Sequence, residues 1–600
     1  MKIRVADFIV RFLRDTARVR HVFLVSGGGI MFLTDALAQC PEVKAVCTHH
    51  EQSAAMALEA YARTTGGVGA GFFTTGPGAT NAITGLVGAW LDSVPCLFVS
   101  GQAKRRETVR LAGIPGLRQF GVQEVDILPV VQSLTKYAVM LDDPAEVRYE
   151  LEKAFHLATT GRPGPVWIDV PLDVQGALVD PRRLRGFPAV ERPALKTRPV
   201  AAEMRKFQDL LRQAERPVIL AGQGVAIARA GPDLERFADA HGIPVVHSFL
   251  GANAIGHRHR CRIGPVGIKG SRAGNLAVQN ADLVIAIGTS LHVGTIGYEY
   301  GQFAREAVKV VVDIDRTAHR KKTIAIDLYI NADAREFLRQ ANAGAVTKAR
   351  PSGWLRTCRR WLRQYPVCLP DYAQEDRNGI NLYQFIDRLS ACIRPDDVVV
   401  SDAGSVYYAV AQGLRQGILL TSGGIATMGY SLPAAIGAAE ARNGRVVAIT
   451  GDGSLQMNVQ ELQTVVHHRL PVKLFVISNQ GYLSIRFTQD RFFAGRRLGE
   501  GAASGVSLPH LGRLARAYGL DYCAVRRHRD LDRTIRKVLA TPGPVVCEVF
   551  GSPDQAIVPT VSSVKLEDGS MVSKPLEDMF PFLDREEFRQ NMIVKPLKGC

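Results

Sequence analysis

No apolar run in this 600-residue chain approaches the ~18–20 residues that a membrane-spanning helix needs, so the sequence predicts no membrane partner. No C-x-x-C pair occurs either. The ten cysteines (Cys40, Cys47, Cys96, Cys261, Cys358, Cys368, Cys392, Cys523, Cys547 and Cys600) are scattered, several of them in apolar stretches. That spacing suits neither a disulfide framework nor a zinc site, and it predicts reduced thiols in a cytoplasmic protein. The start, MKIRVADFIVRFLRDTA, lacks the unbroken apolar core of a signal peptide. Its arginines interrupt the apolar face, as in an amphipathic helix. The formal charge is +17, yet no basic stripe interleaved with aromatics accompanies it. The basic residues come singly or in short pairs such as Arg105–Arg106 and Lys321–Lys322. They predict a solvated basic surface with some attraction for anionic small molecules, and no nucleic-acid partner.

What is present is a repeated alternation of β-branched runs with helical stretches, the pattern of an α/β protein. The length allows three to four domains of ~150 residues, and three blocks emerge. The first spans 1–178, with strands expected at 22–25, 69–74, 94–100 and 166–170. A Pro/Arg-rich linker follows at 180–199. The second block, 200–345, carries Gly222-Gln223-Gly224, Ile287-Gly288-Thr289 and Asp313-Ile314-Asp315 at strand ends, as in a nucleotide-binding fold. The third spans 378–555, and a polar tail covers 556–600. The expected fold is three doubly wound parallel-sheet domains. Blocks one and three look like versions of one design: GAGFFTTGPGATN (69–81) and VVAITGDGSLQMN (446–458) each read as strand, T-G-x-G turn and helix start. Pro77 stands in the first where Asp452 stands in the third.

The run ITGDGSLQMNVQELQTVVHHRLPVKLFVISNQ (449–480) carries the most chemistry. A strand ends in Gly-Asp-Gly, an amphipathic helix follows, and a second strand ends at Asn479. Ligands bind at the carboxyl ends of strands in an open parallel sheet. The spacing therefore brings Asp452 and Asn479 to one rim. A carboxylate plus an amide carbonyl is hard-oxygen ligation, suited to Mg²⁺ holding phosphate oxygens. Gly453 and Ser454, opening the helix, offer N–H groups to the phosphate.

This stretch resembles the Mg²⁺–diphosphate motif of thiamine diphosphate enzymes, whose third metal ligand is a backbone carbonyl two residues past the Asn, here Gly481. The resemblance extends to the first block. There Glu51, in CTHHEQSAAMALEAYARTTG, precedes the G-P-G-A-T-N turn with Pro77 and Asn81. It implies that Glu51 presents its carboxyl to N1′ of the cofactor's aminopyrimidine and activates it. In SGGIATMGYSLPAAIG (422–437), Met428 resembles the wedge beneath the cofactor and the Ala426 carbonyl the acceptor for its 4′-amino group. In SDAGSVYYA, Gly404 and Ser405 fall where the family grips the diphosphate.

Over about residues 1–550 the chain is similar to the large, catalytic subunit of acetolactate synthase. Supporting segments are S-G-G-G-I at 26–30, which puts Gly28 among the cofactor-facing positions, and V-Q-E-V-D at 122–126, with Gln123 facing the substrate. Thr135-Lys136 and G-R-P-G-P-V at 161–166 also match. The resemblance implies a decarboxylating carboligase that takes pyruvate and a second 2-oxo acid, on the route to branched-chain amino acids. It also implies a homodimer or homotetramer in which Glu51 and Asp452 pair across subunits. In that family the central domain holds FAD, helped by the Arg that is Arg162 here. FAD stays open, because SLHVGTIG (290–297) replaces the family's F-D-D-R stretch. Val406 departs from the usual Gln-His pair. The segment after Asn479 is two residues shorter, with Arg486 in place of an aromatic. Arg486 suits an anionic acceptor or pairs with an acidic side chain. Other acceptors (an aldehyde or keto-sugar) and a lyase of the 2-hydroxyacyl-CoA or oxalyl-CoA type remain alternatives. A catalytically silent nucleotide-binding scaffold is disfavoured by intact Glu51, Asp452 and Asn479.

Overall fold

The computed structural model describes all residues except 192–197, 345–352, 374–377, 443, 566–570 and 598–600. Part of the 180–199 linker and Cys600 therefore lie outside the described residues. Three six-stranded sheets, parallel throughout, organise the chain. The first contains β1 (His21–Leu24), β2 (Lys44–Cys47), β3 (Gly69–Phe73), β4 (Cys96–Gln102), β5 (Ala138–Met140) and β6 (Val166–Pro171), in the order β2-β1-β3-β4-β6-β5. The second contains β7 (Pro217–Ala221), β8 (Val245–His247), β9 (Arg262–Pro265), β10 (Leu283–Ile287), β11 (Val308–Asp313) and β12 (Leu328–Asn331), in the order β9-β8-β7-β10-β11-β12. The third contains β13 (Val398–Ser401), β14 (Ile418–Thr421), β15 (Val446–Gly451), β16 (Val472–Ser478), β17 (Asp521–Val525) and β18 (Val545–Phe550), in the order β14-β13-β15-β16-β18-β17.

Helices cover both faces of such sheets, so their strands read as unbroken apolar runs. LVIAI in β10 and VVAIT in β15 are buried along their length. Counted within each domain, the first and third sheets have one and the same order, 2-1-3-4-6-5. The second has 3-2-1-4-5-6, the order of dinucleotide-binding domains. The pairing expected of blocks one and three thus extends to topology, with the middle domain of another kind.

Equivalent helices join the outer domains. Glu51–Thr65 follows β2 and Ser431–Arg442 follows β14, and the two pack face to face in one apolar cluster. Their contact surfaces are largely Ala and Gly, which lets the backbones approach. A Cβ added at Gly437 would lie 1.9 Å from the Ala57 carbonyl oxygen.

Two expectations change. The helix expected after Gly-Asp-Gly is broken into Asp452–Leu455, a single 3₁₀ turn, and Glu461–His467. The tail, expected to be merely polar, crosses back over the middle domain. Thr560–Val561 pairs with Met579–Phe580, Val561 and Leu576 enter the middle domain's core, and Arg305 bonds buried Glu577 at 2.7 Å. Asn275, Asn280 and Trp361 also hydrogen-bond to the tail.

Candidate active site

In the first domain, three sequence-identified groups meet. Glu51 opens the helix Glu51–Thr65 just after β2, and its carboxylate accepts from the Asn81 side-chain amide at 3.0 Å. The other carboxylate oxygen lies 3.3 Å from where a Cβ at Gly78 would sit. Pro77 begins the short helix Pro77–Asn81 at the end of β3, a first-turn position that needs no N–H. Gln123, exposed and with φ +60°, comes in from a separate loop. Its carbonyl would lie 2.2 Å from a Cβ at Gly76, so only glycine admits it there. The loop is anchored by buried Glu124, which accepts from the N–H groups of Phe120 and Gly121 at 2.8 and 2.9 Å. Gly28 is exposed at the end of β1, with open space on the side where a Cβ would project.

In the third domain, Asp452 begins its helix at the tip of β15. One carboxylate oxygen accepts from the N–H groups of Asn479 and Gln480 at 3.0 Å each, and the other from Gly453 at 2.9 Å. Burial pushes the carboxyl up to about 6, opposed by those N–H groups. Asn479 follows β16 directly. Its side chain is 5 % exposed and has no hydrogen-bond partner among the described residues. Gly481, at φ +124°, would bring a Cβ within 2.0 Å of the Glu500 carbonyl. A buried carboxylate, an amide without a hydrogen-bond partner among the described residues and a backbone carbonyl from adjacent strand ends form an oxygen-donor set that fits Mg²⁺. Gly453 and Ser454 lie in the same turn, and Gly404, at φ +74°, caps the helix Ser405–Gly413 beside Ser484.

The segment 422–431 runs between these halves. Ala426 has φ +53°, and Met428 stands 37 % exposed beyond it. Backbone in such sparsely populated conformations persists only when its surroundings hold it, and two carboxylates do so. Asp92 of the first domain accepts from Gly423 and Gly424 at 3.0 and 2.7 Å, and its carboxyl is pushed up to about 6 by burial. Asp402, at the end of β13 and 1 % exposed, accepts from Gly429 N, from Ser431 N and Oγ, and from Thr450 Oγ. Asp402 thus ties the Gly404 turn, the Met428 segment and the Gly-Asp-Gly turn together, with its pKa raised by burial. Sequence reasoning passed over both; the signal for Asp402 was an acid two residues before Gly404 at a strand end. Across the helix seam, Ser53 donates to Asn458 at 3.0 Å, and Asn458 donates to the Gly429 carbonyl at 2.8 Å. Glu51 itself turns instead to Asn81 and Gly78 of its own domain.

Three other residues are spent on structure. Arg162 bonds Asp315 at 3.0 Å and Ser93 at 2.8 Å, linking the first and middle domains. Lys136 donates to the Thr160 carbonyl at 2.6 Å, its pKa lowered to about 8 by burial. Arg486 is buried against Glu500 at 2.6 Å and does not offer itself to an anionic acceptor. Asp239, His259 and Cys261 also cluster. Cys261 N donates to His259 Nδ1 at 3.2 Å and His259 Nε2 lies 3.2 Å from the Asp239 carboxylate, which Arg260 also engages, so these side chains already satisfy one another.

Comparison with known proteins agrees with this geometry. Residues 3–130 match the "Thiamine pyrophosphate enzyme, N-terminal TPP binding domain", 204–341 the central domain, and 402–549 the C-terminal TPP binding domain. The chain is 32% identical over 565 residues to the acetolactate synthase large subunit of Cyanidium caldarium, covering 91% of this chain and 93% of that one. It is 30% identical over 561 residues to acetolactate synthase isozyme 1 large subunit of Escherichia coli (strain K12), covering 93% and 95%. To chloroplastic acetolactate synthase 2 of Nicotiana tabacum it is 32% identical over 575 residues, covering 93% and 83%. With its three domains in this order and these two strand-end turns, the chain belongs to the acetolactate synthase family of thiamine pyrophosphate-dependent enzymes.

Proposed function

We propose that the protein decarboxylates pyruvate and joins the two-carbon fragment to a second 2-oxo acid. The observation that carries this is the Glu51 carboxyl, pinned by Asn81 beside a glycine turn, in a chain whose third domain gathers Asp452, Asn479 and Gly481. Thiamine diphosphate supplies the nucleophilic carbon and the electron sink for decarboxylation. Asp452, the Asn479 amide and the Gly481 carbonyl would hold Mg²⁺, and the Ser454 N–H, with Gly404 and Ser405, would receive the diphosphate, the Gly453 N–H being held by Asp452. Glu51 would share a proton with the bound aminopyrimidine, Met428 and Ala426 would orient it, and Gln123 would face the substrate carbonyl. The buried Arg486–Glu500 pair takes Arg486 out of acceptor binding, and the likeness to acetolactate synthases supports a second 2-oxo acid as the acceptor.

Two further assignments belong to this reading. The middle domain holds FAD, on the support of its 3-2-1-4-5-6 order and of the Gly222-Gln223-Gly224 turn that follows β7 and opens a helix. Flavin released on denaturing the purified protein checks it; a colourless protein leaves the domain a structural role. The active site is completed in a homodimer or homotetramer. Ile114, Phe120 and Val122 flank Gln123, while Phe487, Phe492 and Leu498 follow the metal loop, all at least 39 % exposed. Such apolar exposure marks interaction surfaces. Mixing inactive Glu51 and Asp452 variants should restore activity by complementation.

The central test is incubation of the protein with thiamine diphosphate, Mg²⁺ and labelled pyruvate, with products identified by mass. Release of labelled CO₂ with formation of 2-acetolactate is expected. No consumption of pyruvate, with or without candidate acceptors and FAD, would overturn the donor assignment.

A further inference from the structure

We propose that Arg486 is a positioning residue: with Glu500 it sets the spacing of the oxygen ligands in the loop 479–481. The inference rests on the thiamine diphosphate–Mg²⁺ reading of that site. Arg486 and Glu500 are 6 % and 4 % exposed. The guanidinium offers five N–H groups in a rigid fork, and all its nitrogens are engaged. Nε donates to Glu500 at 2.6 Å, Nη1 to the Pro553 carbonyl at 2.6 Å and the Asn479 carbonyl at 3.4 Å, and Nη2 to the Gln480 carbonyl at 3.0 Å.

Glu500 grips the far side of the same loop. Its carbonyl accepts from Tyr482 N at 2.7 Å and leaves no room for a Cβ at Gly481, and Ser504 Oγ donates to its carboxylate at 3.3 Å. The loop does not hold its own shape: Gln480 has φ +64° and Gly481 φ +124°. Backbone of that kind needs support from outside. The ion pair supplies it on both sides, one residue from Asn479 and adjoining Gly481. Mg²⁺ demands near-ideal octahedral ligands at ~2.1 Å, whereas Ca²⁺ accepts longer and more irregular sets. Loosening this clamp therefore penalises Mg²⁺ selectively.

Removing one partner would strand a buried charge and destabilise the fold, whereas apolar replacement of both is often tolerated. The test is accordingly the double variant Arg486→Met with Glu500→Leu. Retention of thiamine diphosphate is followed by equilibrium dialysis at graded Mg²⁺ or Ca²⁺, beside the melting temperature without metal. The half-saturating Mg²⁺ concentration should rise about tenfold or more, the usual effect of losing a group that orients metal ligands. The Ca²⁺ requirement should rise less than about threefold, with metal-free melting little changed. An unchanged Mg²⁺ requirement, or equal rises for both ions with a lower melting temperature, overturns the proposal. If the double variant does not fold, Arg486→Lys keeps the charge beside Glu500 but cannot reach three carbonyls. It should shift the Mg²⁺/Ca²⁺ ratio in the same direction, and an unchanged ratio overturns the proposal. Wild-type protein that retains no thiamine diphosphate with Mg²⁺ would overturn the cofactor reading itself, and this inference with it.

Discussion

The first and third domains are built on one strand order and differ at the residues that begin two equivalent helices. After the third strand of each, the helix starts at Pro77 in the first domain and at Asp452 in the third. Proline there costs nothing, because the first helical N–H has no intrahelical partner, but it brings no acceptor. Asp452 brings a carboxylate into a ring of N–H groups. After the second strand the roles reverse: Glu51 opens the helix in the first domain, and Ser431, bonded to Asp402, opens it in the third. Two copies of a scaffold thus acquire different chemistry through single side chains at helix starts, with the sheets unchanged. A serine–acid pair between the fourth and sixth strands is kept in both, as Ser100–Asp169 and as Ser478–Glu548.

The largest way to break this division is Asp452→Ala. Mg²⁺-dependent retention of thiamine diphosphate and turnover should fall to background. The stranded N–H groups of Asn479 and Gln480 should cost about 1–3 kcal/mol of stability by chemical denaturation. Full activity in a chelator-treated Asp452→Ala sample would remove Asp452 from the metal site. Glu51→Gln probes the other half: dialysis should find the cofactor still bound while turnover drops by about 10²–10⁴-fold, the range of a lost acid–base group.

A smaller effect concerns the paired serine–acid contact. Burial pushes the Asp169 carboxyl up to about 7, above the ~3.9 of an unfolded Asp. Between those values the folded chain holds a proton that the unfolded chain has released. The associated stability is full at the acid end and is lost as pH rises through about 7. Asp169→Asn should flatten the fall in melting temperature across that window, and an unaltered pH profile would contradict the assignment. The smallest expected effect is that of Pro77→Asp. It should create no second metal site, because β4 ends at Gln102, whose amide is taken by Asp169, the Val125 carbonyl and Ala103 N. A rise in Mg²⁺ stoichiometry would show that the two turns are more interchangeable than their partners indicate.

Much of this was legible in the sequence where local chemistry and position coincide. The strand Val472–Ser478 lies where its β-branched run placed it, and Glu51, Asp452 and Asn479 fall at strand ends or helix starts, where pattern and residue type agree. Asp92 and Asp402 were missed because their partners are backbone N–H groups brought together only by folding. Arg486 was left with two readings because Glu500, fourteen residues on, lies in an irregular segment with no periodicity to place it. The tail read as polar because its apolar anchors, among them Val561, Leu576, Met579, Phe588 and Val594, are spaced too irregularly to form a pattern.

That tail also carries a consequence for the order in which the protein is made. The first domain has every residue of its sheet once the ribosome has passed 171. The middle domain's sheet is complete in sequence by 331, yet Val561, Leu576 and the partners of Asn275, Asn280 and Trp361 lie beyond the third domain's last strand. Domains generally fold from the N-terminus as they are synthesised. Here part of the second domain's core comes from residues that follow the third domain, so its packing is finished only after the third domain has been made.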